Sequence, residues 1–438
     1  MRVTATTRWQ VVGASTIGTI VEWYDFFLYG TAAAFVLNRV FFPNLDPLAG
    51  ILASYATFAV GFLVRPFGGV IFGHFGDKYG RKPVLIATLL LMGFATAGIG
   101  MLPTYNAIGI AAPILLLLLR MLQGLGAGAE YSGAILFSAE YNSDRRGFFA
   151  SWPPAAADFA IAVSAGVFAL FKLMSDKQFI AWGWRIPFLL SLLAVAVGYF
   201  VRQRILETPE FTAVKEEARQ TSVPALELIT KHPRRVLIAM GVNVGPSVGY
   251  VFTVFALSYM TKQLGVPQGT ALLALVIAAL CGSVASILFG SLSDHIGRRG
   301  IMLTGSLFSA VYAFPFFWLL ETRRPLLIIF AMVVGFSIGL RSVFGVQPAF
   351  YTELFETRLR FSGIALAREV TGALVGGPLP FVCTAAVAAA GGWWPVAVLM
   401  IVLVLITALA VVMAPAPALD TAPEAGGVDS LESYHGRV

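Results

Sequence analysis

Long apolar runs, each of about 20 residues, follow one another along almost the whole chain. A helix of that length crosses the roughly 30 Å hydrocarbon core of a bilayer. Only 12% of the residues are charged, against about a quarter in a soluble domain. The sequence therefore predicts an all-α integral membrane protein with twelve transmembrane helices. The predicted spans lie near 11–37, 50–72, 84–103, 112–138, 149–171, 186–201, 236–261, 270–292, 301–320, 326–350, 362–388 and 393–414.

The spans divide six and six around a polar segment that carries dense charge. This pattern predicts a first six-helix half over 1–201, a central cytoplasmic loop over 202–235, a second half over 236–414 and a disordered tail over 415–438. With the N-terminus inside, most Lys and Arg fall on the cytoplasmic side, as the positive-inside rule requires. Both termini are then cytoplasmic. Orientation also accounts for the net charge of +7, so a nucleic-acid partner is not expected.

Two short loop sequences repeat at corresponding places in the two halves. The stretches GHFGDKYGRK (73–82) and GSLSDHIGRR (290–299) align without gaps, and a looser Glu-to-Arg pair recurs after the fourth span of each half. Two copies in register indicate duplicated halves, as in transporters that rock about a central site. A single copy would be explained better by a tight basic turn at a membrane surface. The matching charged residues are Asp77 with Asp294, Arg81 with Arg298, Glu140 with Glu353, and Arg145 with Arg358.

These loops resemble the Gly-x-x-x-Asp-x-x-Gly-Arg-Arg/Lys motif of the major facilitator superfamily. The stretches EWYDFFLYG, RMLQGLGAGAEYSGA, GWRIPF, LETPEF and ELFETRLRFSGIA are similar to its metabolite:proton symporter family. The resemblance implies two pseudo-symmetric six-helix halves and uptake of small carboxylates, aromatic acids or osmolytes with protons by bacteria. It also implies a gating role for the loop residues. Span 5 departs from the family pattern, with Pro153, Pro154 and Asp158 in place of a glycine-rich, uncharged stretch.

Three charged residues are predicted to lie at one depth in the membrane. A rise of 1.5 Å per residue places Glu22 and Asp25 about 17 and 21 Å from the cytoplasmic surface, and Arg120 about 18 Å from it. Glu22 and Asp25 also share a helix face. A carboxylate there has opposing influences, because burial favours the protonated form and a neighbouring guanidinium favours the charged form. Competition between substrate and carboxylate for Arg120 would couple the two movements. The alternative is a buried ion pair that only fixes helix packing.

Further residues are assigned to three expected roles. The proton-coupling candidates are Asp25, Glu22 and Asp158, and packing beside the Pro153–Pro154 kink is the alternative for Asp158. Arg120 is expected to bind an anion, since guanidinium matches a carboxylate bidentately, and either Arg341 or Arg368 is expected to add a second cation. The substrate-binding candidates are Arg120, Gln123, Tyr24, Tyr131 and Arg368. The gating candidates are Arg65, Glu130, Asp77, Arg81, Glu140, Arg145, Asp294, Arg298, Glu353 and Arg358, with lipid-directed or topological roles as alternatives for Arg65 and Glu130.

The expected function is proton-coupled symport of a small organic anion by alternating access across a bacterial inner membrane. A zwitterionic-osmolyte symporter, an uncoupled facilitator or sensor, and a membrane enzyme are the alternatives. No nucleophile–base or metal-ligand constellation is evident in the sequence, which argues against an enzyme or a metal site. The expected partners are the lipid bilayer, protons and an organic acid. No cofactor is expected, with the proton gradient as energy source, and the protein is expected to be a monomer.

Overall fold

The computed structural model describes residues 5–79, 81–128, 135, 138, 145–204 and 224–415. At 5–11, 14, 73–74, 76–79, 81–82, 201–204, 224–226 and 357–358 it describes the backbone alone. Within these ranges every regular element is helical and there is no strand.

The first half consists of residues before 205. Its α-helices, in chain order, are α1 Ala5–Phe35, α2 Leu37–Phe41, α3 Pro47–Leu63, α4 Arg65–Tyr79, α5 Arg81–Met101, α6 Tyr105–Ile108, α7 Ala111–Ala127, α8 Arg146–Ala150, α9 Trp152–Lys172, α10 Asp176–Gln178, α11 Arg185–Leu189 and α12 Ser191–Arg204. A π-helical segment, Phe179–Gly183, separates α10 from α11.

The second half consists of residues after 223. Its α-helices are α13 Pro224–Lys231, α14 Pro233–Val244, α15 Ala256–Ser258, α16 Gln268–Ile296, α17 Arg298–Glu321, α18 Pro325–Val333, α19 Arg341–Phe344, α20 Gln347–Leu354, α21 Thr357–Thr371, α22 Leu379–Ala390 and α23 Trp394–Met413. The predicted connecting loop over 202–235 therefore contains a helix, α13, and the beginning of α14. The predicted domain boundaries stay predictions.

The helices have the length and composition of membrane spans. Ten helical stretches in the described part of the chain are long and apolar enough to cross a bilayer, and Ala111–Ala127 is a shorter apolar helix. Helix α1 has 31 residues. The prediction of an all-α membrane protein is confirmed, although the described ranges do not allow all twelve spans to be counted.

Local sequence sets where one of these helices begins. Asp46 lies just before α3, and its Oδ1 accepts hydrogen bonds from the backbone N–H groups of Leu48 and Ala49 at 3.0 and 3.1 Å. Pro47 occupies the first helical position, where its missing N–H would have had no intrahelical acceptor. An acidic cap followed by proline therefore ends the preceding loop and begins the span at Pro47.

Several spans of the second half are not regular α-helices. A 3₁₀ turn, Gly245–Val248, and a π-helical segment, Val251–Phe255, interrupt the first of them. Two more π-helical segments, Val334–Leu340 and Gly372–Gly376, lie between α18 and α19 and between α21 and α22. Such segments are rare and occur often at functional sites. Here residues of Gly245–Val248, Val251–Phe255 and Gly372–Gly376 line the space between the halves.

The two halves meet along α9 and α16, which pack against each other. Near one end of this contact, a Cβ added to Gly290 of α16 would collide with Ser151 and with the backbone of Gly147. A Cβ added to Gly147 would in turn collide with the backbone of Gly290. Glycine at both positions lets the helix backbones approach closely. We call this end of the molecule, where the second loop repeat lies, the motif end.

Candidate substrate cavity

A cavity lies between the two halves, and the empty space there, counted together with open solvent, is about 630 Å³. Residues of α1, α3, α4 and α9 line it from the first half, and residues of the irregular spans line it from the second. Its wall contains an unusual number of charges for a membrane interior: Arg65, Asp158, Arg341, Arg368 and Glu369. All five side chains are at least nine-tenths buried, with 4%, 0%, 4%, 8% and 7% of their surface exposed.

Aromatic rings form much of the remaining wall. Trp23 and Phe27 of α1 stack with 5.4 Å between ring centroids, and Phe27 stacks on Tyr250 at 6.2 Å. Phe62 meets Tyr250 edge-to-face at 5.2 Å. Together with Phe344, these rings give the cavity an apolar lining with polar edges. A small ligand with a flat or apolar body and one charged group would match this surface.

One ion pair crosses the cavity from one half to the other. Nη2 of Arg341, at the beginning of α19, lies 2.6 Å from Oδ1 of Asp158 on α9. Ser286 of α16 donates a hydrogen bond to Asp158 Oδ2 at 3.0 Å. The guanidinium carbon of Arg341 lies 3.8 Å from the Phe336 ring centroid and 4.9 Å from that of Phe344. Asp158 is therefore anchored to two groups of the opposite half.

A second cluster of charged residues also lines the cavity. The guanidinium of Arg65 lies over the rings of Phe26 and Phe62, at 4.4 and 4.9 Å from their centroids. Glu369 on α21 is within electrostatic range of Arg65 and Arg368. Three guanidinium groups and two carboxylates thus surround the space. With all five ionised, the wall has one positive charge in excess, which favours an anion.

Arg120 lies in a separate network next to the cavity. Its guanidinium is fully buried over the rings of Phe26, Tyr29 and Phe58, at 4.7, 4.3 and 5.2 Å, and it donates a hydrogen bond to Gln123 Oε1. Arg120 is not among the residues that line the cavity. The Phe26 ring contacts both Arg120 and Arg65.

The network continues from Arg120 to the first helix through side-chain amide and hydroxyl groups. Gln123 Nε2 donates to Thr96 Oγ1 at 2.8 Å and to the backbone oxygen of Asp25 at 3.3 Å. The Thr96 hydroxyl also lies next to the Asp25 carboxylate. The expected direct pair between Arg120 and a carboxylate of α1 is absent for Asp25, because Gln123 and Thr96 occupy the intervening space. Arg120 and Asp25 are therefore connected through Gln123 and Thr96 rather than by a direct ion pair.

The other predicted binding residues are distributed between these sites and elsewhere. Arg368 lines the cavity, whereas the Tyr24 hydroxyl donates to the backbone oxygen of Pro187 at 2.9 Å, away from it. Glu22 is 1% exposed on α1 and does not line the cavity. Tyr131 lies outside the described residues.

At the motif end, part of the predicted gate comes together. The Asp294 carboxylate accepts hydrogen bonds from the backbone N–H groups of Gly147 and Phe148 at 2.7 and 3.0 Å. Arg298 lies 3.3 Å from Asp294 Oδ1 and pairs with Glu353. Gly297 has a φ of 91°, which favours glycine and explains this glycine of the repeat. One copy of the repeated loop therefore connects the halves.

The remaining gating candidates lie elsewhere in the structure or outside the residues that it describes. Arg145 is exposed beside α8, and Arg65 lines the cavity instead of the membrane rim predicted for it. Its long side chain accounts for the difference, since helix side chains lean toward the N-terminal end of their helix, here toward the centre of the molecule. Glu130 and Glu140 lie outside the described residues. The side chains of Asp77, Arg81 and Arg358 also lie outside the part of the chain that the structure describes.

Some residues of both networks were not assigned a site role from the sequence. Ser286 and Thr96 contact buried carboxylates, yet a lone hydroxyl in an apolar helix carries no signal that distinguishes it from a packing residue. Glu369 gave a clearer signal, because a carboxylate within a span is a functional candidate by default. Its contribution depends on cations from other spans, which a single sequence does not locate.

A helical membrane protein whose two halves enclose a charged cavity has the architecture of a membrane transport protein. The family model of the Major Facilitator Superfamily matches residues 16–377. The chain belongs to this family, and the predicted fold class is confirmed. As a member of a family of carriers, the protein is a transporter and not an enzyme.

Individual relatives support the same assignment. The chain is 39% identical to the shikimate transporter of Escherichia coli over 404 residues, which cover 90% of this chain and 92% of that protein. It is 36% identical to the proline/betaine transporter of Salmonella typhimurium over 380 residues, covering 84% of this chain and 75% of the relative. The solved structure of the proton:xylose symporter XylE with a bound glucose derivative superimposes with a TM-score of 0.73, at 16% identity, over 94% of this chain and 95% of XylE.

Proposed function

We propose that this transporter takes up a small, singly charged organic acid together with protons across a bacterial inner membrane. The observation that carries the proposal is the charge of the cavity wall, with three buried guanidinium groups against two carboxylates. The excess of guanidinium groups provides a binding group for a carboxylate, which a neutral sugar lacks. The first relative, a shikimate transporter, is named for a cyclic monocarboxylate, and the aromatic wall suits such a ring.

Proton coupling is proposed from carboxylates buried within the spans. Asp25 and Glu22 are each 1% exposed, and Asp158 is fully buried. Carboxylates in such positions change protonation when their cationic partner moves or is occupied. The proton gradient then supplies the energy, with no cofactor. Both termini are proposed to be cytoplasmic, and the protein to act as a monomer.

A zwitterion is the second candidate substrate. Relatives named as proline/betaine transporters are 36% identical to the chain. The cavity offers both signs of charge and several ring faces, on which a quaternary ammonium group can bind. The wall has more guanidinium groups than carboxylates, so it matches the carboxylate of an acid better than the cationic group of a zwitterion, which makes the zwitterion the less favoured of the two.

Uptake by purified protein in proteoliposomes distinguishes the candidates. The panel contains two cyclic monocarboxylates, shikimate and benzoate, with succinate as a dianion and glycine betaine as a zwitterion. We expect uptake of a cyclic monocarboxylate, competition from the other monoanion, and little effect of glycine betaine. Preferential uptake of glycine betaine would instead support the zwitterion function. Uptake of none of the acids would contradict the proposal.

A further inference from the structure

The ion pair between Asp158 and Arg341 joins residues from different halves at the wall of the cavity. Both residues line the cavity, and neither exposes more than 4% of its surface. The carboxylate is attached through its backbone to α9 but makes its polar contacts, with Arg341 and Ser286, to the opposite half. A movement of the halves relative to each other must therefore stretch or break these contacts.

The position of Arg341 does not depend on Asp158 alone. Its guanidinium lies 3.8 Å from the Phe336 ring centroid and 4.9 Å from that of Phe344, so aromatic contacts hold it at the cavity wall. Both rings come from the same half as Arg341. The guanidinium therefore stays in place when its anionic partner changes, as an anion-binding group requires.

We propose that Asp158 occupies the place of the substrate carboxylate on Arg341 in the empty carrier, and that the incoming anion displaces it. The inference rests on the proposed function and names the binding group of that same cavity. A displaced Asp158 would be a buried carboxylate without its cation, which is strongly unfavourable. It takes up a proton from external water and moves away from Arg341 and Ser286 as a neutral carboxyl group. Release of the anion to the inside lets the proton leave and the ion pair form again.

The surroundings of Asp158 support an exchange in which one substrate anion replaces one carboxylate, that of Asp158, on Arg341. Among the described residues, Arg341 is the one basic side chain within 4.0 Å of the Asp158 carboxylate. Helix α1, which also packs on α9, contributes the buried acids Glu22 and Asp25, and these add no positive charge. The other charged residues of the cavity are Arg65, Arg368 and Glu369, and Glu369 already lies in range of both of these cations. No spare cation in contact would keep Asp158 ionised after displacement.

The proposed displacement predicts that one substitution makes the protein bind the acid more tightly instead of more weakly. Asp158→Asn removes the competing anion and should bind the acid more tightly, by about tenfold or more, since a hydrogen bond to a charged group is worth that factor. Arg341→Gln should weaken binding by a similar factor. A residue that only stabilises packing would weaken binding when replaced. Asp176→Asn is the matched control, because it makes the same change to a carboxylate that pairs with Arg39 and Lys172 outside the cavity.

Isothermal titration calorimetry on purified protein tests this directly. The probe is the acid of the panel that wild-type protein transports fastest, with shikimate taken first. Titration in two buffers of different ionisation enthalpy at one pH gives the number of protons taken up on binding. We expect the wild type and Asp176→Asn to take up about one proton more per acid than Asp158→Asn does.

Three results would overturn the inference. These are weaker or unchanged binding by Asp158→Asn, undiminished proton uptake by that variant, and equal tightening by Asp176→Asn. If Asp158→Asn does not fold, Ser286→Ala serves instead, because it keeps both charges and removes one contact of the competitor. It should bind the acid several-fold more tightly and still take up a proton, and unchanged or weaker binding would count against the inference.

Different experimental results would contradict the inference and the proposed function. Absence of uptake of every acid by the wild type in proteoliposomes would contradict the proposed function, and the inference with it. Proton-coupled uptake by the wild type, combined with any of the three results above, would contradict the inference alone.

Discussion

At the scale of single residues, one aromatic ring, Phe26, contacts two guanidinium groups. Arg65 and Arg120 lie 4.4 and 4.7 Å from its centroid. Each cation is attracted to the ring, while the two cations repel each other. The ring thus makes it possible to bury two positive charges close together beside the cavity.

Phe26→Leu should destabilise the protein more than an ordinary buried ring replacement. It removes two cation–π contacts, and we expect an additional loss of about 0.5–2 kcal/mol. Phe168→Leu is the matched control, because Phe168 is fully buried against Phe35 and Phe179. Thermal unfolding in detergent measures the difference, and an equal loss in the two variants would show that the cations contribute nothing through this ring.

Asp25→Asn should abolish uphill accumulation and leave substrate exchange partly intact. The amide is isosteric with the carboxylate but cannot carry a proton, and the backbone oxygen that Gln123 contacts is unchanged. Accumulation and counterflow exchange are measured on the same proteoliposomes. Equal loss of both activities would assign Asp25 to packing or binding instead of proton transfer.

The sequence predicts which charged residues are buried better than it predicts which residues contact them. It singled out Asp158 because a carboxylate in a span is costly, and the structure buries it completely. Its contact with Arg341 depends on how two spans from different halves are placed against each other. Helical periodicity gives depth and face within one span, but it does not give the register between spans. For the same reason Arg120 was expected to meet a carboxylate where the structure inserts Gln123.

At the scale of helices, the contact between α9 and α16 controls how closely the halves approach at the motif end. Gly290 lies against Ser151 and Gly147, with no room for a Cβ. The duplication of the loop motif was evident from the sequence. The reason for its first glycine became clear only from the packing of the opposite half.

Gly290→Ala should separate α16 from α8 and α9 at the motif end. Overpacking of this kind costs about 1–3 kcal/mol in the closed arrangement and favours an arrangement open at that end. Hydrogen exchange of α8 is expected to increase. Gly300→Ala is the matched control, because a Cβ there would meet no atom within 4 Å. Unchanged exchange in Gly290→Ala would show that this contact does not limit opening.

At the scale of the whole molecule, contacts between the halves exist on both sides of the cavity. The motif end is connected through Asp294 and the backbone of α8. Toward the opposite end, the Tyr55 hydroxyl donates to Ser258 Oγ at 2.7 Å and lies 3.3 Å from the backbone oxygen of Val254. A carrier that opens to alternate sides must break one set of contacts at a time.

Tyr55→Phe should weaken the contact between the halves at the end opposite the motif end. The expected loss is about 0.5–1.5 kcal/mol, the usual net contribution of a hydrogen bond. The ring and its packing are kept, so the effect is confined to the hydroxyl. Distances between spin labels on α3 and α22 should lengthen at that end, opposite in sense to the effect of Gly290→Ala. Opening at the motif end in the Tyr55 variant would contradict this assignment of the contacts.

The central claim is that a cavity with one excess positive charge carries an organic monoanion together with a proton. The most direct measurement is accumulation of a radiolabelled cyclic monocarboxylate in proteoliposomes with an imposed pH gradient, acidic outside. We expect the internal concentration to rise above the external one and to fall back when a protonophore is added. Accumulation that never exceeds the external concentration, with or without the gradient, would contradict the account.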